Sequence, residues 1–213
     1  MARCLLVVAT FLAAFTAAPA WSSKDFPPFE AVHQRAIENV LKDSVSPAAL
    51  QILEDQQKEV DKDQKASQSF EHSMTGLEKG QTLQMEKAQF IAQTEAFIRS
   101  HLTAAINARI AGSETEAFTH LGQAIHPLQD ATSPAHRGFQ PWSYNESIWA
   151  MTVHVAKERV YPDDASDKDQ VAERATLEGA TRWAFDIFMG KMALPDRFFD
   201  SDGNLLLPAS YTR

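Results

Sequence analysis

The sequence predicts an all-α fold, a single compact multi-helix domain. Three observations predict it. Apolar residues recur every three to four positions along most of the chain. Cap and stop signals punctuate that pattern at helical intervals. No run of alternating apolar and polar residues is long enough to argue for a sheet. Ala31, Val32, Ala36, Ile37, Val40 and Leu41 mark a first helix. Ser46-Pro47 is an N-cap and first-turn pair opening a second, through Leu50 and Leu53. The stretch from Asp61 to Lys79 is polar and mixed, and suggests a loop with short helical pieces. A long helix is expected from about Leu83 to Ile110, carrying Phe90, Ile91, Phe97, Ile98, Leu102 and Ile106, with Gly112 ending it. Ser113 with Glu116 resembles a capping box for a helix carrying Phe118, Leu121, Ile125 and Leu128. Pro127 removes one backbone donor from that helix and should bend it, and Ser133-Pro134 should stop or redirect it. Ser143 with Glu146 suggests another helix, carrying Ile148, Met151 and Val155. A last one runs from about Lys168 to Met192, burying Leu177, Ala180, Trp183, Ala184, Ile187 and Phe188. The tail after Pro195 has no clear period.

The 213 residues allow one sizeable domain, assigned to residues 21–213. Residues 1–20 are expected to be a signal peptide. Arg3 precedes an apolar stretch from Leu5 to Ala18, and Ala18-Pro19-Ala20 is a small-x-small cleavage site. The apolar stretch is too short for a comfortable membrane span. A secreted or periplasmic protein, cleaved near Ala20, is therefore expected. The single cysteine, Cys4, lies inside the signal, so the mature chain has neither a disulfide nor a thiolate ligand. The formal charge is −8, and loss of Arg3 makes it one unit more negative. That is no basic footprint for nucleic acid, and no stable nucleic-acid partner is expected.

The run HPLQDATSPAH, from His126 to His136, carries the chemistry. His126 and Asp130 stand four apart, so one helix face presents both. His136 follows six residues later. A second pair at the same spacing is His154 and Glu158. Imidazole nitrogens and carboxylate oxygens are zinc donors. Two such pairs and an intervening histidine are a large share of a chain with seven histidines. His101 and His120 match no part of this pattern and are expected to be ordinary polar residues of helices.

The spacing His-x3-Asp-x5-His followed by His-x3-Glu, in the setting LGQAIHPLQDATSPAH, resembles the zinc-dependent phospholipase C and S1/P1 nuclease superfamily. The resemblance implies an all-helical domain of that type holding three Zn2+ ions. It also implies a mature chain beginning with Trp, and cleavage after Ala20 would expose Trp21. An α-amine has a pKa of about 8, so a cation can displace its proton. By the same resemblance His33 is the early helix histidine and His72, in QSFEHSM, the central one. His72, His126 and Asp130 would then hold one ion. Trp21 and His33 would hold a second, bridged by Asp130. His136, His154 and Glu158 would hold the third. Asp61, with Asp63 as the alternative, would orient or deprotonate the attacking water.

A cation lowers the pKa of water bound to it, and close pairs stabilise the entering and leaving oxygens of phosphoryl transfer. The resemblance thus implies hydrolysis of a phosphodiester. Three details favour the phospholipase branch: Glu158 as the last carboxylate, a separation of twelve positions from Trp21 to His33, and no cysteine after Cys4. The expected substrate is a phospholipid or other phosphodiester, with transient contact at a membrane surface and a monomeric enzyme. Phe139 and Trp142 are candidates for an apolar substrate cleft, or else for ordinary core. A single-strand nuclease or 3′-nucleotidase, and a zinc-binding protein without catalysis, stay open as alternatives.

Overall fold

The computed structural model describes residues 31–62, 65–77, 86–143 and 160–212, with side chains described up to Pro141 in the third stretch. The signal segment, Trp21, Asp63, the expected helix after Ser143, His154, Glu158 and the side chain of Trp142 lie outside the described residues. Five α-helices are described: α1 Val32–Leu41, α2 Pro47–Val60, α3 Lys87–Ile110, α4 Glu114–Asp130 and α5 Lys168–Phe188. A 3-10 helix, Ala66–His72, follows α2. The mostly helical expectation is met. None of the described helices is long and apolar enough to cross a membrane.

Most ends are set by local chemistry. The Ser46 hydroxyl accepts from the Ala49 amide at 3.1 Å, with Pro47 in the first turn. Asp167 caps α5 by accepting from the Asp169 and Gln170 amides. Two ends differ from expectation. The Ser113 side chain makes no cap hydrogen bond, and its hydroxyl therefore does not close a capping box on α4. The reciprocal box forms instead at the start of α3, between Glu86 and Gln89. Gly112, at φ +79, ends α3 as expected.

Helix α4 organises the interior. It packs against α2, α3 and α5 and against the 3-10 helix. Leu121, Ala124, Ile125 and Leu128 are buried with Leu53 of α2, Ile98 and Leu102 of α3, and Trp183 and Ile187 of α5. Each fully buried aliphatic side chain of this kind stabilises the fold by ~1.5–3 kcal/mol. From Leu121 to Asp130 only Gln123 is not buried, so the second half of α4 is enclosed on nearly every side. The helix runs through Pro127 and stops at Asp130, short of Ser133-Pro134. Enclosure explains the continuity, because packing on all sides outweighs one lost backbone bond.

A short parallel ladder, β1 Thr75–Leu77 with β2 Pro141–Ser143, was not legible in the sequence. It joins the chain just after His72 to the chain just after His136. Gly76 is required there, since a Cβ would stand 1.9 Å from the Ala66 carbonyl oxygen. Ser73 takes a left-handed backbone, φ +51, rare for a residue with a Cβ. Its hydroxyl donates to the Pro127 carbonyl at 2.7 Å, tying His72's segment to α4.

Gly122 marks the close approach of α4 to α2, where a Cβ would come within 2.7 Å of Gln56 Cβ. Gly122→Ala should lower stability by about 1–3 kcal/mol through overpacking. Urea melts of the two proteins check it, and equal midpoints would contradict the close packing.

Candidate metal centre

Five of the residues singled out in the sequence meet in the interior. Asp61 caps the C-terminus of α2. His72 ends the 3-10 helix, His126 and Asp130 lie on the enclosed end of α4, and His33 sits on α1. His33, His126 and Asp130 are 0 % exposed, and His72 is 3 % exposed.

The donors stand at coordination distances from one another. His126 Nε2 lies 3.1 Å from His72 Nδ1, 3.2 Å from Asp130 Oδ2 and 3.5 Å from Asp61 Oδ1. His72 Nδ1 is 3.2 Å from Asp130 Oδ2, and His33 Nε2 is 3.3 Å from Asp130 Oδ1. Four donors arranged tetrahedrally at zinc-like bond lengths are ~3.3 Å apart. Two groups among the described residues could hold a metal ion: His33, His126 and Asp130, and Asp61, His72 and His126. Asp130 divides its oxygens, Oδ1 toward His33 and Oδ2 toward His72 and His126. His33 Nε2 and Asp130 Oδ1 are buried and make no well-formed hydrogen bond, which suits atoms aimed at a cation.

The ring orientations follow from amides that sequence reading missed. Gln57 is fully buried and donates through Nε2 to the Leu53 and Gly122 carbonyls. Its Oε1 therefore faces His126 Nδ1, at 3.1 Å, and can only accept. That puts the proton on Nδ1 and leaves Nε2 as the donor atom. Gln129 repeats the arrangement. Its Nε2 donates to Thr181 Oγ1 at 2.8 Å, and its Oε1 accepts from His33 Nδ1 at 2.6 Å. His136, buried, donates from Nδ1 to the His72 carbonyl at 2.6 Å, which leaves its Nε2 with the lone pair. Such outer contacts fix tautomer and orientation in metal sites. The only sequence signal for Gln129 was its place beside Asp130, and for Gln57 none.

Charge inside the cluster is set by competition. Burial raises the cost of ionising Asp130, yet the imidazoles of His126, His33 and His72 grouped around it hold its carboxyl well below the usual range. Burial disfavours protonated His33 and His72, but the Asp130 carboxylate outweighs it and raises both above 6.5. For His126 burial wins, aided by the neighbouring charge of His33 against the pull of Asp130, and its pKa falls. His33 and His126 stack with ring centroids 4.3 Å apart.

Other expectations fare differently. His136 is buried beside the cluster through His72 but belongs to neither donor group. Phe139 is 1 % exposed and packs edge-to-face on Phe199 at 5.1 Å. It is a core residue, because the turn after His136 drives it inward at φ +55 rather than toward a cleft. Asp61 Oδ1 lies 3.5 Å from His126 Nε2, beside the donors, where a bound water would also lie within its reach. No family model, curated protein or solved structure matches the chain.

Ligand imidazoles bind metal only when deprotonated. Because His33 and His72 titrate above 6.5, both still carry protons as pH rises past that value. Zn2+ affinity should therefore keep increasing with pH until those raised values are passed, and binding near neutrality should release protons. Calorimetry in buffers of different ionisation enthalpy measures the release, and a buffer-independent heat would contradict the assignment.

Proposed function

We propose that this chain is a zinc-dependent phosphodiester hydrolase of the phospholipase C and S1/P1 nuclease type, acting on phospholipid headgroup–glycerol bonds. The observation that carries the reading is the convergence of Asp61, His72, His126, Asp130 and His33 on one buried point from four separate stretches of chain. The donor set is imidazole and carboxylate without sulfur, which suits Zn2+. It contains two carboxylates, and the fully buried negative charge of Asp130 calls for cationic partners.

The residue roles follow from geometry and from the resemblance noted above. His33, His72 and His126 would hold ions with Asp130 between them, one carboxylate oxygen toward each side. Trp21, His136, His154 and Glu158 would complete the shells by resemblance. Bound divalent ions would acidify water and neutralise charge on the phosphoryl oxygens. Asp61 borders this space with an acceptor oxygen, so it suits either a ligand or the base that takes a proton from water. Gln57 and Gln129 hold imidazole tautomers and touch no substrate.

Glu158, the spacing from Trp21 to His33 and the absence of cysteine after Cys4 support phospholipid over nucleic acid as substrate. Export and removal of residues 1–20 would be needed to create the Trp21 amine, so activity should appear only in the processed, monomeric enzyme.

Metal analysis of the purified mature protein, with hydrolysis assays on phosphatidylcholine micelles and single-stranded DNA, tests the reading. Three equivalents of zinc and turnover of the phospholipid are expected. Turnover of DNA alone would assign the nuclease branch, and full zinc without either turnover would assign a non-catalytic zinc protein. Asp130→Asn should lose zinc from two positions together and reduce hydrolysis by more than about 10²-fold, since outer-shell changes alone reach that order. Unchanged zinc content in Asp130→Asn would refute the bridging role.

In the same preparation Gln57→Leu should retain the fold but weaken zinc binding by about 10–100-fold, because His126 loses the acceptor that fixes its tautomer. Zinc competition with a chelator measures this, and wild-type affinity would show that Gln57 only packs.

A further inference from the structure

Two histidines stand outside the cluster and face each other. His101 lies on α3 and His120 on α4. Their Nδ1 atoms are 3.0 Å apart. Gln123 is three residues beyond His120, hence on the same face of α4. Its Oε1 lies 3.3 Å from His120 Nδ1. All three residues are partly exposed, so water can reach them. Neither histidine contacts the residues of the buried cluster in any hydrogen bond or ring contact described.

At most one proton lies where three lone pairs meet. Two Nδ1–H groups cannot point at each other across 3.0 Å, so at least one Nδ1 is bare. An amide oxygen beside them can only accept. A single Nδ1–H shared among these atoms satisfies them in the metal-free state. A cation satisfies them better, because it accepts all three lone pairs at once. The two separations match the edges of a coordination shell with bonds of ~2.0–2.1 Å, which run from ~2.9 Å for square geometry to ~3.3 Å for a tetrahedron.

We propose that His101, His120 and Gln123 form a second, partly exposed transition-metal site that clips α3 to α4, completed by water and selective for Cu2+, Ni2+ or Zn2+ over Mg2+ and Ca2+. Two imidazoles and a neutral amide set this preference, since hard cations need more oxygen ligands and more negative charge. Burial, with Phe97's ring centroid 4.4 Å from that of His101, and the neighbouring His120 push His101 down to about 4. His101 is therefore neutral at physiological pH and offers its lone pair without first losing a proton. Without a carboxylate the site adds positive charge when filled, so it binds more weakly than the buried cluster and exchanges metal with solvent.

Cu2+ titrated into the zinc-loaded mature protein near pH 7 provides the test. One equivalent should bind with zinc content unchanged, giving an electron paramagnetic resonance signal split by two nitrogens. His101→Gln and His120→Gln, made separately, should each weaken that equivalent by at least about tenfold, with zinc content and hydrolysis unchanged. Melting temperature should rise with Cu2+ in the parent and not in either variant. An unchanged Cu2+ signal in both variants, or binding only with release of zinc, would overturn the proposal. So would equal binding of Mg2+.

Discussion

A carboxylate sealed from water at the C-terminal end of a helix is disfavoured twice. Desolvation opposes its charge, and the helix dipole presents negative potential at that end. Asp130 is the last residue of α4 and is fully buried. It is nevertheless held ionised by three imidazoles, from His33, His72 and His126, each within 3.3 Å of one of its oxygens. The remainder of the fold is arranged to make that possible. Helix α1 delivers His33, the 3-10 helix delivers His72, and the α2 terminus brings a second carboxylate, Asp61.

Holding these groups costs conformational freedom, and the structure spends it on backbone as well as side chains. Ser73 is forced into a left-handed conformation and compensated by its bond to the Pro127 carbonyl. Gly76 allows the parallel ladder to lie against the 3-10 helix. Gly122 lets α2 come close enough for Gln57 to reach both the α4 backbone and His126. Each device looks local in isolation. Together they fix the distance between His72 and α4 and the angle of the His126 ring.

Helices with strong periodicity were legible in the sequence, because a buried stripe needs only spacing and apolar side chains. The faces of α1 and α5 fall where Ile37, Leu41, Leu177 and Trp183 place them. The ladder between Thr75 and Ser143 was not, since three-residue strands leave too few positions for alternation to register. The Ser113 capping box failed for a related reason: cap motifs describe residue types, while the bond depends on backbone angles that neighbouring contacts set. His126 and Asp130 were legible through their spacing on one helix. His33, His72 and Asp61 are separated by long sequence intervals, and only resemblance tied them to the same point. Gln57 carries no pattern at all, and Gln129 only its place beside Asp130. Phe139 could be read as cleft or core, and only its packing on Phe199 decides between them.

Comparing the two histidine groups isolates what controls protonation. In the cluster, His33 and His72 are fully desolvated, yet each holds its proton above the ordinary range because Asp130 is beside it. At the α3–α4 pair, His101 is only half-buried, yet its pKa falls to about 4, because burial is joined by the neighbouring His120 and no carboxylate opposes them. Burial acts in the same direction in both places, so the sign of the nearby charge decides the outcome. His126 shows the intermediate case inside the cluster itself. It touches Asp130 as closely as His72 does, but burial, aided by the charge of His33 stacked upon it, outweighs the carboxylate. It follows that the buried cluster exchanges protons for cations when it binds metal, whereas His101 has almost none to release.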